Sequence, residues 1–215
     1  MSQSFYDVIS TTRSIRRIKP DPVPADVLDR ILQAAVWAPS GGNRQPWRMI
    51  VVQDTETKRK LGEIYAREWA VYVDFNMENV KNSPKDVQDR VAAGLAVGTA
   101  LAANLHEVPV VVVFVHDSRL IYVTDDKLGR QSVVGGASLY PAVQNLLTAA
   151  RAEGLGGVLT TLISRGEPEV QQVLGVPAEW GIHAMVPLGY PRGKHGPLTR
   201  LPLDQMVHQI GRAHV

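Results

Sequence analysis

Three guanidiniums fall within five positions near the start of the chain, at Arg13, Arg16 and Arg17, beside the hydroxyls of Thr12 and Ser14. Guanidinium forks match the oxygens of a phosphate dianion, so this spacing suits phosphate capture. In an extended segment alternate residues share a side, which puts Arg13 and Arg17 together and Arg16 opposite. Taken alone, the cluster fits a solvated basic segment equally well. A second polar concentration, Ser40-Gly41-Gly42-Asn43-Arg44-Gln45, joins a helical stretch to a strand-like one. Its amides, hydroxyl and glycines let backbone approach a flat heterocycle closely, although a plain turn uses the same residue types. A third, Gly154-Leu155-Gly156-Gly157-Val158-Leu159-Thr160-Thr161, brings two threonines close to whatever lies over a short strand. Ordinary β propensity accounts for those threonines as well. Arg200, beyond it, is unremarkable by itself.

Other chemistries lack their residues. Gly154 to Gly157 comes near a dinucleotide fingerprint but misses its last glycine, and Lys194 is followed by His195 where a P-loop needs Ser or Thr. There is no G-x-S-x-G elbow, and the six His residues never take the H-E-x-x-H spacing of a zinc site. Cysteine is absent, which removes disulfides, thiolate catalysis and iron–sulfur clusters. The 23 basic and 21 acidic residues leave a net charge of +2, a balance that argues against nucleic acid or anionic membrane as a partner. A nucleic-acid-binding domain would fit the 12–19 cluster and nothing else in the chain.

These groups need a scaffold to hold them. At 215 residues and 45% hydrophobic, the chain suits one self-sufficient domain. Ser4 to Thr11 reads as a short helix, and Pro20, Pro22 and Pro24 keep the following stretch irregular. Val27, Leu28, Ile31, Leu32 and Ala35 form a helical stripe that ends at Ala38-Pro39. Met49 to Val52 reads as a strand and Thr55 to Tyr72 as a helix. Val73 to Asp86 is polar and poorly periodic, which suggests an insertion or lid within about 63–90. A helix follows from Val87 to Leu105. Val108 to Val115, nearly all β-branched, reads as a strand buried on both faces. Leu139 to Ala150 is a long helix closed by Gly154. Gly157 to Thr161 and His183 to Leu188 are strand candidates, and Ser164 to Glu167 has capping-box spacing before another helix. The tail from Pro197 ends in a weak helix. The order is α+β, a small sheet covered by helices. Met1 to Asp7 has no basic segment followed by an apolar run, so the expected location is cytoplasmic. Val108 to Val115 is too short to span a bilayer.

In register, the segments resemble the nitroreductase family of FMN oxidoreductases. Thr12-Arg13-Ser14-Ile15-Arg16 is similar to the family's opening Arg-Arg-Ser-x-Arg run, with Thr12 in place of the first Arg. Ala38 to Trp47 resembles A-P-S-x-x-x-x-Q/E-P-W, Pro141 to Leu147 resembles A-x-Q-N-L-L, and Gly189-Tyr190-Pro191 recurs before a basic residue. The resemblance implies a homodimer with a mainly antiparallel central sheet and FMN at the subunit interface. It also implies that Arg13, Ser14, Arg16 and Arg200 hold the phosphate, with Arg17 compensating for Thr12. Ser40, Gly41, Asn43 and Gln45 would contact the isoalloxazine or ribityl group. Leu159, Thr160 and Thr161 would lie along the ring, with a backbone or side-chain donor of Thr160 near N5. The implied activity is reduction of FMN by NADH or NADPH, then of an electron-poor acceptor (nitroaromatic, quinone or activated alkene) by ping-pong hydride transfer. Alternatives are a reductive dehalogenase or enone reductase of the same family, or a flavin-binding sensor or store without turnover. Trp69, Tyr72 and Phe75 could roof the acceptor, but aromatics at helical spacing also serve as core.

Overall fold

The β-branched run at 108–115 organises the molecule. In the computed structural model, which describes residues 4–211, it forms β2 (Val110–Asp117) at the centre of the sheet. Its side chains alternate between two cores. Val111, Val113 and Val115 enter one, and Val110, Val112 and Phe114 enter the other. β1 (Trp47–Val52) pairs antiparallel with one edge of β2, and β4 (Trp180–Gly189) with the other. A two-residue β3 (Gly156–Gly157) completes an antiparallel sheet of order β1-β2-β4-β3.

Helices cover both faces. α1 (Phe5–Thr11) opens the chain with a capping box between Ser4 and Asp7. α2 (Ala25–Val36) and α5 (Tyr140–Ala152) pack over the Phe114 side. α3 (Thr55–Val80) and α4 (Lys85–Ala103) form a hairpin, and its packed portion joins α6 (Glu167–Leu174) over the Val113 side. A short α7 (Leu203–Met206) lies in the exposed tail. No helix of the described residues is long and apolar enough to cross a membrane.

Three differences from expectation have physical causes. Residues 73–80 continue α3 where an insertion or lid seemed to begin. Of its apolar side chains only Val73, Met77 and Val80 are half-buried, a stripe too narrow to give strong periodicity. The hairpin closes where the Trp69 ring lies against Gly98; a Cβ there would sit 2.0 Å from the ring. Ser164 and Glu167 do not form a capping box. The Ser164 hydroxyl donates to the His183 carbonyl (3.3 Å), Glu167 accepts from the Ile182 N–H (2.6 Å), and α6 starts behind a 3-10 turn at 162–166. The strand expected at 157–161 is cut to β3 and one bridge between Thr160 and Met185.

Candidate active site

The Arg13–Arg17 segment runs past β3 and the end of β4. The Ile15 N–H donates to the Gly157 carbonyl (2.8 Å), and the Arg192 N–H to the Arg17 carbonyl (2.8 Å). Ile15 and Ile18 turn toward the α3 core. Arg13, Ser14, Arg16 and Arg17 all line a cavity of about 430 Å³. Gly94 and Val97 of α4 close one wall, and Gly193 and Lys194 another. Arg200 does not line this cavity; it is exposed in the tail, its guanidinium on the Thr199 carbonyl. Lys194 is the cation that the C-terminal stretch brings here.

Arg16 also lines a second cavity of about 200 Å³, together with Leu159, Thr160, Thr161 and the aromatic side chains of Tyr65, Trp69 and Tyr72. The three aromatics stand on α3 at spacings of four and three, one helix face. Phe75 is 63% exposed and belongs to neither cavity. Trp69 is fixed by its indole N–H on the Thr99 hydroxyl (3.0 Å). Burial pushes the Tyr65 phenol up from its ordinary value, with the Thr160 side chain and the Arg16 charge opposing.

The three ring-strand residues differ. Leu159 and Thr161 are exposed, whereas Thr160 is buried. The Thr160 N–H donates to the Met185 carbonyl (2.9 Å), which removes the backbone donor expected of Thr160. The Thr161 N–H makes no hydrogen bond among the described residues.

Ser40, Gly41, Asn43 and Gln45 gather into one loop with its own order. The Gln45 N–H donates to the Ser40 hydroxyl (3.0 Å), the Gln45 amide to Asn43, and the Gly41 N–H to the Ser138 hydroxyl (2.9 Å). Asn43 and Gln45 have φ of 53° and 47°, an arrangement a non-glycine residue keeps only when its surroundings impose it. This loop does not meet the arginines. It enters the sheet at Trp47, opposite His116, which is opposite Gly181. The arginine segment is tied to Gly157, opposite Leu188. Seven residues along β4 and three strand spacings across the sheet separate the two, on the order of 25 Å.

Sequence reasoning missed Tyr65, because only Trp69, Tyr72 and Phe75 stood out. It also missed Ser138, which lies outside every motif. It missed Lys194 as well: the resemblance implies Arg200 as the phosphate's C-terminal cation, whereas Lys194 lines the cavity.

Comparison with known proteins gives the family. The chain is 34% identical over 209 residues to an NADH dehydrogenase of Thermus thermophilus, covering 91% of this chain and 90% of that one. It is 32% identical over 213 residues to iodotyrosine deiodinase 1 of Rattus norvegicus, covering 96% of this chain and 69% of the relative. The fold superposes on an oxidised iodotyrosine deiodinase bound to FMN and 3-iodo-L-tyrosine with a TM-score of 0.67, at 24% identity, covering 99% and 100% of the two chains. The nitroreductase family profile matches residues 9–190, and the chain belongs to that family.

Proposed function

We propose that the protein is an FMN-dependent oxidoreductase that uses NADH or NADPH to reduce an electron-poor acceptor: a nitroaromatic, a quinone or an activated alkene. The observation that carries this reading is the sharing of Arg16 between the basic cavity and the aromatic-walled one. FMN has a dianion at one end and a planar ring at the other, and two cavities that share Arg16 suit both. The solved deiodinase with bound FMN supports the same cofactor.

Bound FMN would supply the hydride chemistry. Arg13, Ser14, Arg17 and Lys194 would hold its phosphate through charge-assisted bonds. Arg16, beside both ends, would stabilise negative charge on the reduced ring. With the Thr160 N–H engaged, the Thr160 hydroxyl or the free N–H of Thr161 would stand as the donor near N5. Tyr65, Trp69 and Tyr72 would exclude water from the ring, with the α3–α4 hairpin of this single domain as the cover.

We further propose a homodimer with FMN at its interface. The Ser40–Gln45 loop is too far from the arginines for one FMN to touch both within a chain, so a two-fold partner would supply it. Apolar surface for such a contact is present: Trp37 is 74% exposed, Leu203 76% and Ile210 fully. Arg200, in that same tail, would then reach the partner's phosphate.

A reductive dehalogenase is the second reading, favoured by the deiodinase relative and by the aromatic wall, which suits a ring-bearing acceptor. Purified protein should be yellow and should bleach rapidly when NADH or NADPH is added under argon. A colourless preparation that does not take up FMN overturns the reading; a yellow one that never bleaches indicates a flavin sensor or store. A panel of nitro, quinone, enone and halogenated acceptors then separates the two enzymatic readings.

A further inference from the structure

A cavity of about 470 Å³ lies against α4, beside the two already described. Ala93, Ala96, Val97 and Ala100 form one wall, and their spacing puts them on one helix face. Arg16, Arg17 and Arg192 line the same cavity, with Asn104 and Glu107 just past the end of the helix. The wall is unusual for an open helix face. Ala93, Ala96 and Ala100 are exposed, yet from Val91 to Ala103 the helix carries no charged residue. A solvent-facing helix ordinarily presents charged or polar side chains there. Alanines leave instead a flat apolar surface, on which a planar ring lies well.

The charges of this region are unbalanced. The Arg192 N–H donates to the Arg17 carbonyl (2.8 Å), and Ile18 bridges to Pro191, so the backbone ties the two arginines' segments together. Neither guanidinium makes an ion pair among the described residues; the Arg192 Nε–H donates to the Ile18 carbonyl (3.1 Å). Arg16, Arg17 and Val97 line both this cavity and the proposed phosphate cavity. Across the two, five cations (Arg13, Arg16, Arg17, Arg192 and Lys194) face one carboxylate, Glu107. An FMN phosphate dianion leaves two positive charges unmatched. A second phosphate monoester, with close to two negative charges at pH 7, is their complement. The Asn104 amide N–H donates to the Ala100 carbonyl (2.8 Å), which leaves its side-chain oxygen as an acceptor beside the Glu107 carboxylate. Acceptors at the edge of an apolar wall suit an amino group on a planar heterocycle.

We propose that this cavity binds the adenosine 2′-phosphate end of NADPH, and so makes NADPH rather than NADH the electron donor. The phosphate meets Arg17 and Arg192, the adenine lies on Ala96 and Ala100, and its amino group faces Asn104 and Glu107. The volume is within the range of small-molecule sites. Arg16 lines this cavity and the aromatic-walled one alike, which leaves the nicotinamide end directed toward the ring pocket. NADH has a hydroxyl in place of the 2′-phosphate and forgoes both guanidinium contacts. The donor role rests on the proposed function; the nucleotide site itself does not.

The test is calorimetric titration of the protein, as purified and after FMN loading, with adenosine 2′,5′-bisphosphate. Adenosine 5′-monophosphate serves as the nucleotide without the second phosphate, and adenosine 3′,5′-bisphosphate as the isomer. The 2′,5′-bisphosphate should bind about tenfold or more tighter than the monophosphate, and tighter than the isomer. Arg192→Ala should erase that preference, and Arg192→Lys should restore part of it, as a charge without the fork. Arg192 also holds the Ile18 carbonyl, so a second variant guards against misfolding. Ala100→Glu adds a carboxylate at an exposed wall position; it should weaken the 2′,5′-bisphosphate by about tenfold while the protein melts as before. In turnover, kcat/KM should favour NADPH over NADH by about tenfold or more, and Arg192→Ala should bring the ratio toward unity. Equal binding of bisphosphate and monophosphate, tighter binding of the isomer, or a preference that survives both variants in folded protein overturns the inference. A colourless protein with the Arg192-dependent preference overturns only the flavin reading; a yellow one without it overturns only this inference.

Discussion

The two ends of β4 solve the problem of holding polar groups in opposite ways. At the Leu188 end, Arg13, Arg17 and Lys194 stay close to water, and most of the set comes from one stretch of five residues. At the Gly181 end, His116 and His183 are half-buried, each with one buried ring nitrogen, uncharged and contributed by two strands, with walls from the 118–139 loop and the start of α5. Cations that keep their hydration need little from the fold, so a short segment suffices. Buried neutral groups need glycines, aromatic neighbours and a shaped wall. Substitution at the first end should therefore strike ligand binding, and at the second, folding.

The largest effect is expected from Arg13→Ala combined with Arg16→Ala. Each lost charge-assisted bond is worth about 1.5–3 kcal/mol, so FMN affinity should fall by about a hundredfold or more, with the melting temperature nearly unchanged. Fluorescence titration of the reconstituted protein measures it, and unaltered affinity would remove both the assignment of Arg13 to the phosphate and that of Arg16 to the flavin. Next is Gly181→Ala, whose methyl would press on the His116 ring. Denaturant unfolding should show a loss of about 1–3 kcal/mol while FMN affinity holds; the reverse pattern would erase the contrast between the two ends.

A pH series sharpens the same contrast. Burial brings the folded value of His183 to about 4, below the ordinary 6.5, so the unfolded chain binds more protons between those values. Stability from this source is complete above about 6.5 and is lost as pH falls toward 4. His183→Phe should flatten that slope; a slope as steep as the parent's places its origin elsewhere. Smallest is Ser138→Ala, which deletes the bond to the Gly41 N–H. A loss of about 1 kcal/mol in the order of the loop should appear as a few-fold weaker FMN affinity, measured by the same titration.

The sequence made one end of the molecule legible and concealed the other. Arg13, Ser14, Arg16 and Arg17 are close neighbours in the chain, so the cluster was visible before any fold was known. β2 was equally plain over 110–115, where the strand is buried on both faces and every residue is apolar. His116 and His183 lie 67 positions apart, and only the pairing of β2 with β4 brings them together. The last eight residues of α3, 73–80, were hidden because Val73, Met77 and Val80 are their only half-buried apolar residues. The resemblance implies Thr160 as the N5 donor, and only the bridge to Met185 shows that its backbone N–H is consumed while that of Thr161 stays free.

That the arginine end and the Ser40–Gln45 loop face different copies of the chain is the central claim, and mixed dimers test it most directly. A chain carrying Arg13→Ala and Arg16→Ala is paired with one carrying Asn43→Ala and Gln45→Ala, each homodimer being free of FMN. The isolated heterodimer should bind about one FMN per two chains, because one composite site keeps both of its intact halves. A heterodimer that binds none, while the parent dimer binds normally, would place the whole site within a single chain and contradict the account.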